Sequence, residues 1–187
     1  MKNLHEERSP VMYLLLGTRC LLGCVFLASF AGKVWGRARY DGYLAATRRL
    51  MPQWAASRLS ARAAAPTVLA AEFAAPVLLA VPATVLPGLT LSFALLSVFA
   101  GATAAALRRG ENAPCHCFGF SPRELRTGHV TRNVLLAALA LVGMVAATAD
   151  SRPVAAADAA VVAALAVVAA VLFVIADDIA DVFRSAV

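Results

Sequence analysis

The chain has 187 residues, of which 61% are hydrophobic and only 15% are charged. Soluble domains are nearer half apolar and a quarter charged, so this composition predicts an integral membrane protein. The net charge of +6 does not indicate nucleic-acid binding, because the arginines cluster between apolar stretches, where they would meet lipid head groups. We expect a multi-pass protein of the cytoplasmic membrane that contacts lipid and binds no nucleic acid.

Five apolar stretches approach the length of about 20 residues that a membrane-spanning helix needs. They are Val11–Gly32, Pro66–Val85, Gly88–Leu107, Val130–Ala149 and Ala159–Ala176. No segment alternates with a period of two, which argues against a membrane β-barrel. The sequence therefore predicts an all-α bundle of four core transmembrane helices and a fifth, C-terminal span. Pro87-Gly88 is predicted to form the turn between the second and third spans.

The connector from residue 33 to residue 65 is amphipathic. Its apolar residues recur at the spacing of one helical face and include Tyr43, Leu44, Leu50, Met51 and Trp54. This pattern predicts one or two short helices on the membrane surface. Pro52 is expected to break or kink the run.

The loop after the third span carries the residues best suited to chemistry. Cys115 and Cys117 are separated only by His116, and a disulfide between them would close a small ring that is readily reduced. Neighbouring arginines favour the reactive thiolate. The spacing favours a thiol–disulfide exchange site with these three as catalytic residues. A copper or zinc site and a structural disulfide remain alternatives.

A second pair of cysteines lies in the first span. Cys20 and Cys24 are four residues apart and so share one face of a helix. Counting helical rise from Gly32 places Cys24 about 12 Å below the loop-bearing surface. This depth suggests a relay in which the loop pair exchanges with the buried pair. Packing of two small apolar side chains is the alternative.

Two charged residues lie inside predicted spans. Arg19 belongs to the first span and Glu72 to the second. Intramembrane charges are costly and usually face the bundle interior in pairs. They could form a structural ion pair or contact a substrate or quinone, and Lys33 at the end of the first span could also approach Glu72.

The cysteine motif Cys115-X-Cys117-Phe118-Gly119 is followed by Arg132-Asn133 at the start of an apolar span. With this motif the sequence resembles the MauE family of methylamine-utilisation membrane proteins, which is similar to the DoxX group. Supporting positions are Arg19, Gly23, Phe26, Lys33, Pro52, Glu72 and Gly110. The resemblance covers 11–149, which we take as one transmembrane domain, and leaves 150–187 as an additional helix with a short acidic tail. It implies a four-helix bundle in which Arg19, Glu72, Arg132 and Asn133 are candidate substrate-binding residues.

The same resemblance implies a redox role. It suggests a protein that matures the disulfide-rich light subunit of methylamine dehydrogenase beside a thioredoxin-like partner. Its substrate need not carry over, because many relatives are not tied to methylamine. An exported disulfide-containing protein is the expected client, and a quinone is a candidate cofactor. The alternatives are a metal-binding protein and a non-catalytic assembly factor.

The orientation of the chain is the open question. With five spans, both major loops lie on one side, together with thirteen of the 17 basic residues. The positive-inside rule would place that side in the cytoplasm. Disulfide chemistry belongs to the extracytoplasmic side, and the resemblance favours that placement.

Overall fold

The computed structural model describes residues 10–51, 60–110, 114–115, 123–124, 127–149 and 156–185. It is an all-α bundle. The helices in the described part of the chain are α1 (Pro10–Val34), α2 (Arg37–Leu50), α3 (Ala61–Ala80), α4 (Val85–Arg108), α5 (Thr127–Ala149) and α6 (Ala156–Ser185). A 3₁₀ turn, Pro82–Thr84, joins α3 to α4.

Five segments in the described part of the chain are long and apolar enough to cross a membrane. They are Pro10–Val34, Ala61–Ala80, Pro82–Arg108, Thr127–Thr148 and Ala156–Ile175. Their lengths suit a hydrocarbon core about 30 Å thick. The predicted all-α fold with four core spans and a fifth C-terminal span is thus confirmed.

The four core helices run alternately up and down. α1 ends, α3 begins, α4 ends and α5 begins at one end of the bundle, which we call the loop-bearing end. α1 packs against α3, α5 and α6, while α4 packs against α3 and α5. Buried side chains from all four helices form the apolar core, including Leu22, Phe26, Leu79, Leu89 and Leu136.

The predicted turn at Pro87-Gly88 is wrong. The chain turns through Pro82–Thr84, and both residues lie in the first turn of α4. Proline is tolerated there because the first helical N–H groups have no intrahelical acceptor. A Cβ on Gly88 would lie 3.0 Å from the backbone nitrogen of Leu79, so the glycine serves close helix packing.

α2 is the first part of the predicted surface helix. Gly36, with φ of 112°, lets the chain turn sharply between α1 and α2. Tyr43 and Ala46 form the buried face of α2, and the Tyr43 hydroxyl donates a hydrogen bond to the Ala65 carbonyl of α3 at 3.1 Å. α2 also contacts α1 and α4, so it lies across the loop-bearing end. Pro52 and Trp54 lie outside the described residues.

A short strand pair follows α4, which the sequence did not predict. β1 (Pro114–Cys115) pairs with β2 (Arg123–Glu124) in antiparallel register, with the Cα of Cys115 opposite that of Arg123. The backbone of β1 also contacts α2. The cysteine loop is therefore joined to the bundle through the surface helix.

α6 packs along α1. The Tyr13 hydroxyl donates a hydrogen bond to Asp158 Oδ2 at 3.0 Å, and an added Cβ on Gly17 would lie 3.6 Å from Val162. The opposite face of α6 is exposed; its large apolar side chains there are Val161, Leu165, Val167, Val168, Val171 and Leu172. An exposed apolar face of this kind is suited to contact with the lipid tails of the bilayer.

Candidate functional site

A buried ion pair lies near the loop-bearing end of the bundle. Lys33, in the last turn of α1, pairs with Glu72 in the middle of α3. The Lys33 ammonium also donates to Ser29 Oγ at 3.0 Å, and Ser29 Oγ donates to Glu72 Oε1 at 3.4 Å. The side chains of Lys33 and Glu72 are 2% and 0% exposed. Ser29 and Lys33 come together because residues four apart share a helix face.

Aromatic rings surround the ammonium group. Lys33 Nζ lies 5.1 Å from the centre of the Tyr43 ring and 5.4 Å from that of Phe99. Both distances are within the range in which a ring face attracts a cation. Because Tyr43 belongs to α2, this contact also connects the ion pair to the helix against which β1 packs.

The Arg132-Asn133 motif lies in the second turn of α5 and is buried. Asn133 is 1% exposed, and the Arg132 guanidinium lies 4.9 Å from the centre of the Phe173 ring of α6. His129, one turn earlier, is also buried. The motif therefore faces the protein interior.

Helix packing places Asn133 at the depth of the ion pair. A Cβ on Gly143 would contact Thr18 of α1 and Leu89 of α4, which fixes a common level for α1, α4 and α5. Antiparallel helices rise at equal rates. Counting ten residues along each helix from that level toward the loop-bearing end reaches Asn133 on α5, Phe99 on α4 and Ala28 on α1. Ala28 is the neighbour of Ser29. We name Ser29, Lys33, Glu72 and Asn133 the polar layer.

Arg19 lies toward the other end of the bundle. Its Nε donates to the Leu79 carbonyl at 2.8 Å, and its Nη2 donates to the Ala80 carbonyl at 3.1 Å. These are among the last carbonyls of α3, which lack intrahelical donors. Glu72 is paired with Lys33 instead. Of the four candidate substrate-binding residues, the structure brings Glu72 and Asn133 to one level, places Arg132 beside them, and leaves Arg19 elsewhere.

Cys20 and Cys24 are free thiols on one side of α1, and both are half-buried. Cys24 packs against the apolar core. It lies five residues, or about 8 Å of helical rise, deeper than Ser29. Cys115 is in β1, while His116 and Cys117 lie outside the described residues.

The described residues do not group three metal-ligating side chains of the His, Cys, Asp and Glu types. The side chains of Cys115, His116 and Cys117 lie outside the described residues, so a copper or zinc site at the loop stays a prediction. The polar layer itself has one carboxylate beside an ammonium group, an arrangement suited to hydrogen bonding and proton exchange.

The site candidates drawn from the sequence omitted Ser29, Lys33, Tyr43 and Phe99. Lys33 was recognised only as a residue that could approach Glu72. The Ser29–Lys33 spacing of four residues was the available signal. Tyr43 and Phe99 gave no comparable signal, because their contacts with Lys33 depend on how three helices pack.

Comparison with known proteins agrees with this architecture. The family profile described as "Methylamine utilisation protein MauE" matches residues 11–146, from the first turn of α1 to the last turn of α5, and leaves α6 outside. No curated protein and no solved structure matches the chain. With a match over most of its length and five helices able to span a bilayer, the chain is a multi-pass membrane protein that belongs to the MauE family of methylamine utilisation.

Proposed function

We propose that this protein is an integral membrane thiol–disulfide redox protein. It lies in the cytoplasmic membrane with the cysteine loop on the extracytoplasmic side. There it forms or helps to mature the disulfides of an exported partner. A thioredoxin-like protein or the exported protein itself exchanges with the loop.

One observation carries the proposal. Cys115, the first cysteine of the Cys-X-Cys motif, is held in a strand pair that contacts α2 at the loop-bearing end. Arg123 occupies the position directly across from Cys115. Arginines also flank the loop in the sequence, and positive charge close to a thiol favours the thiolate, which is the attacking form in disulfide exchange.

The proposed reaction moves two electrons and two protons. A thiolate of the partner attacks the Cys115–Cys117 disulfide, so that this S–S bond breaks and a mixed disulfide forms. The second partner thiolate then displaces the loop cysteine. The partner gains a disulfide, while Cys115 and Cys117 become thiols. His116 lies between them in sequence and would exchange protons with the pair. A thioredoxin-like disulfide or a quinone then reoxidises the thiols.

The α1 cysteines would extend this reaction as a relay. Cys20 and Cys24 form no disulfide with the described residues, and they lie on α1, which ends at the loop-bearing end. In the relay, the acceptor first oxidises Cys20 and Cys24 to a disulfide. A thiolate of the reduced loop attacks that disulfide at Cys24, so that the Cys20–Cys24 bond breaks and a mixed disulfide forms. The second loop thiolate then displaces Cys24, which restores the Cys115–Cys117 disulfide and leaves Cys20 and Cys24 as thiols. Cys24→Ser should then trap or abolish a mixed disulfide with the loop, whereas the loop's redox state should be unchanged in Ser29→Ala. An unaltered loop in both Cys20→Ser and Cys24→Ser would exclude the relay.

The test is thiol labelling of intact cells with a membrane-impermeant maleimide, with and without prior reduction. We expect Cys115 and Cys117 to be labelled only after reduction, and their single serine variants to lose disulfide transfer to the partner. Ser121→Ala, in the same loop, is the matched control and should retain transfer. Labelling that requires opening of the membrane would contradict the proposed orientation.

The other two functions predict different results. A metal-binding protein would purify with copper or zinc that is lost in the Cys115→Ser variant. A non-catalytic assembly factor would support partner maturation even without both loop cysteines. Either result would replace the redox proposal.

A further inference from the structure

The polar layer contains two buried acceptors that lack donors. Glu72 Oε2 and Asn133 Oδ1 have no hydrogen-bond partner among the described residues. Their side chains are 0% and 1% exposed. Buried side-chain oxygens are nearly always hydrogen-bonded, so such atoms indicate that another molecule supplies the donor. The two acceptors come from α3 and α5 at one depth in the bundle.

The other oxygen of Glu72 is already held. Glu72 Oε1 accepts from Lys33 and Ser29, which fixes the carboxylate in place. A charged pair at this depth is expensive in a bilayer, and residues of this kind are associated with substrate or proton pathways. The remaining oxygen is thus a fixed acceptor inside the membrane.

The wall of the layer between α1 and α3 is aromatic. Phe30 follows Ser29, and Phe73 follows Glu72; their ring centres are 5.3 Å apart. Phe73 is 50% exposed at the bundle surface, where lipid is the solvent. Aromatic side chains stack against other planar rings at such distances. A planar, lipid-soluble molecule could therefore approach the layer from the bilayer.

From these features we infer that the polar layer binds the head group of a lipid-soluble quinone in its hydroxyl form, the quinol. A quinol hydroxyl donates to Glu72 Oε2, Asn133 lies within the same layer, and the ring packs against Phe73. Ser29, at the level of Asn133, lies about 8 Å below the end of α1, a depth that a head group attached to an isoprenoid tail can reach.

This inference rests on the proposed function, in which the quinone is the electron acceptor. The reduced Cys115–Cys117 pair gives up two electrons and two protons. Two S–H bonds break and one S–S bond forms, while both quinone carbonyl oxygens become hydroxyls. Glu72 accepts the hydrogen bond of one new hydroxyl, so it holds the product of the step.

Binding is measured apart from electron transfer. The full-length protein with Cys115→Ser and Cys117→Ser is placed in lipid nanodiscs and titrated anaerobically with ubiquinol-1 by calorimetry. We expect saturable binding at one site per chain. Glu72→Gln should weaken it at least tenfold and Phe73→Leu should weaken it severalfold. Ser92→Ala, which changes a buried hydroxyl bonded within α4, is the control and should leave it unchanged.

A second variant separates loss of the binding site from loss of the fold. Glu72→Gln leaves Lys33 buried without its carboxylate, so the double change Lys33→Met with Glu72→Gln is tested beside it. The inference would be overturned if the loop-cysteine variant bound ubiquinol-1 equally well with and without the double change. It would also be overturned if no saturable binding were found. The proposed function would remain to be judged separately by disulfide transfer from Cys115 and Cys117.

Discussion

The two halves of the bundle are built differently from the same four helices. In the half away from the loops, helices approach closely over glycine and apolar side chains. There, Gly88 lies against Leu79, and Gly143 lies against Leu89 and Thr18. In the loop-bearing half, the same helices bury the polar layer. One half is suited to hold the helices together and the other to hold polar groups at a fixed depth.

The two halves also differ in how much their contacts stabilise the fold. Lipid tails are as apolar as leucine, so close packing and small residues stabilise helix association in a membrane. A buried ion pair contributes little net stability, yet removing one partner is costly. The polar layer is therefore poorly explained as a device for stability alone.

The largest expected effect comes from breaking the ion pair. Glu72→Ala leaves the Lys33 ammonium buried without a counter-charge, which should lower the free energy of unfolding by about 3–5 kcal/mol. Thermal unfolding in detergent micelles measures the loss.

The double change Lys33→Met with Glu72→Gln tests the reason. It removes both charges and should recover most of the stability lost in Glu72→Ala. If the double variant were as unstable as the single one, burial of an unpaired charge would not be the cause.

A smaller effect is expected in the other half. Gly88→Ala would place a Cβ within 3.0 Å of the Leu79 backbone, and backbone atoms cannot move aside as a flexible side chain can. Overpacking of this kind costs about 1–3 kcal/mol. Thermal unfolding should show the loss, while ubiquinol-1 binding should be unchanged because the polar layer is untouched.

Gly101→Ala is the matched control. It lies in the same helix, and an added Cβ there meets no atom within 4 Å. We expect no loss of stability. Equal destabilisation by both changes would show that glycine in α4 matters for helix flexibility rather than for close packing.

The comparison also shows which features the sequence could predict. The spans follow from hydropathy alone, since any stretch of about 20 apolar residues is long enough to cross a bilayer. Hydropathy cannot tell a turn from the first turn of a helix. The prediction at Pro87-Gly88 failed for that reason, because proline and glycine suit both and the packing of Gly88 on α3 decided between them.

The polar layer was only partly predictable. Glu72 is conspicuous as a charge within an apolar span, but its partner depends on helix register. Arg19 and Lys33 are both basic residues of the first span. Their opposite positions along α1 decide that Lys33 meets Glu72 while Arg19 meets the end of α3. Depth along the helices, which composition does not report, separates the two.

The smallest expected effect concerns how α6 is attached. It contacts both halves, through Tyr13 and Asp158 away from the loops and through Arg132 and Phe173 near them. Tyr13→Phe removes one hydroxyl and should cost about 0.5–1.5 kcal/mol, the net value of a typical hydrogen bond. Tyr40→Phe is the control, because the Tyr40 hydroxyl makes no hydrogen bond to the described residues.

If α6 is held independently at each end, Tyr13→Phe should speed amide hydrogen exchange in the first turns of α6 and leave the region around Phe173 unchanged. Faster exchange along all of α6 would instead mean that the helix is released as one unit. The packing of α6 near Arg132 would then depend on its attachment at Tyr13.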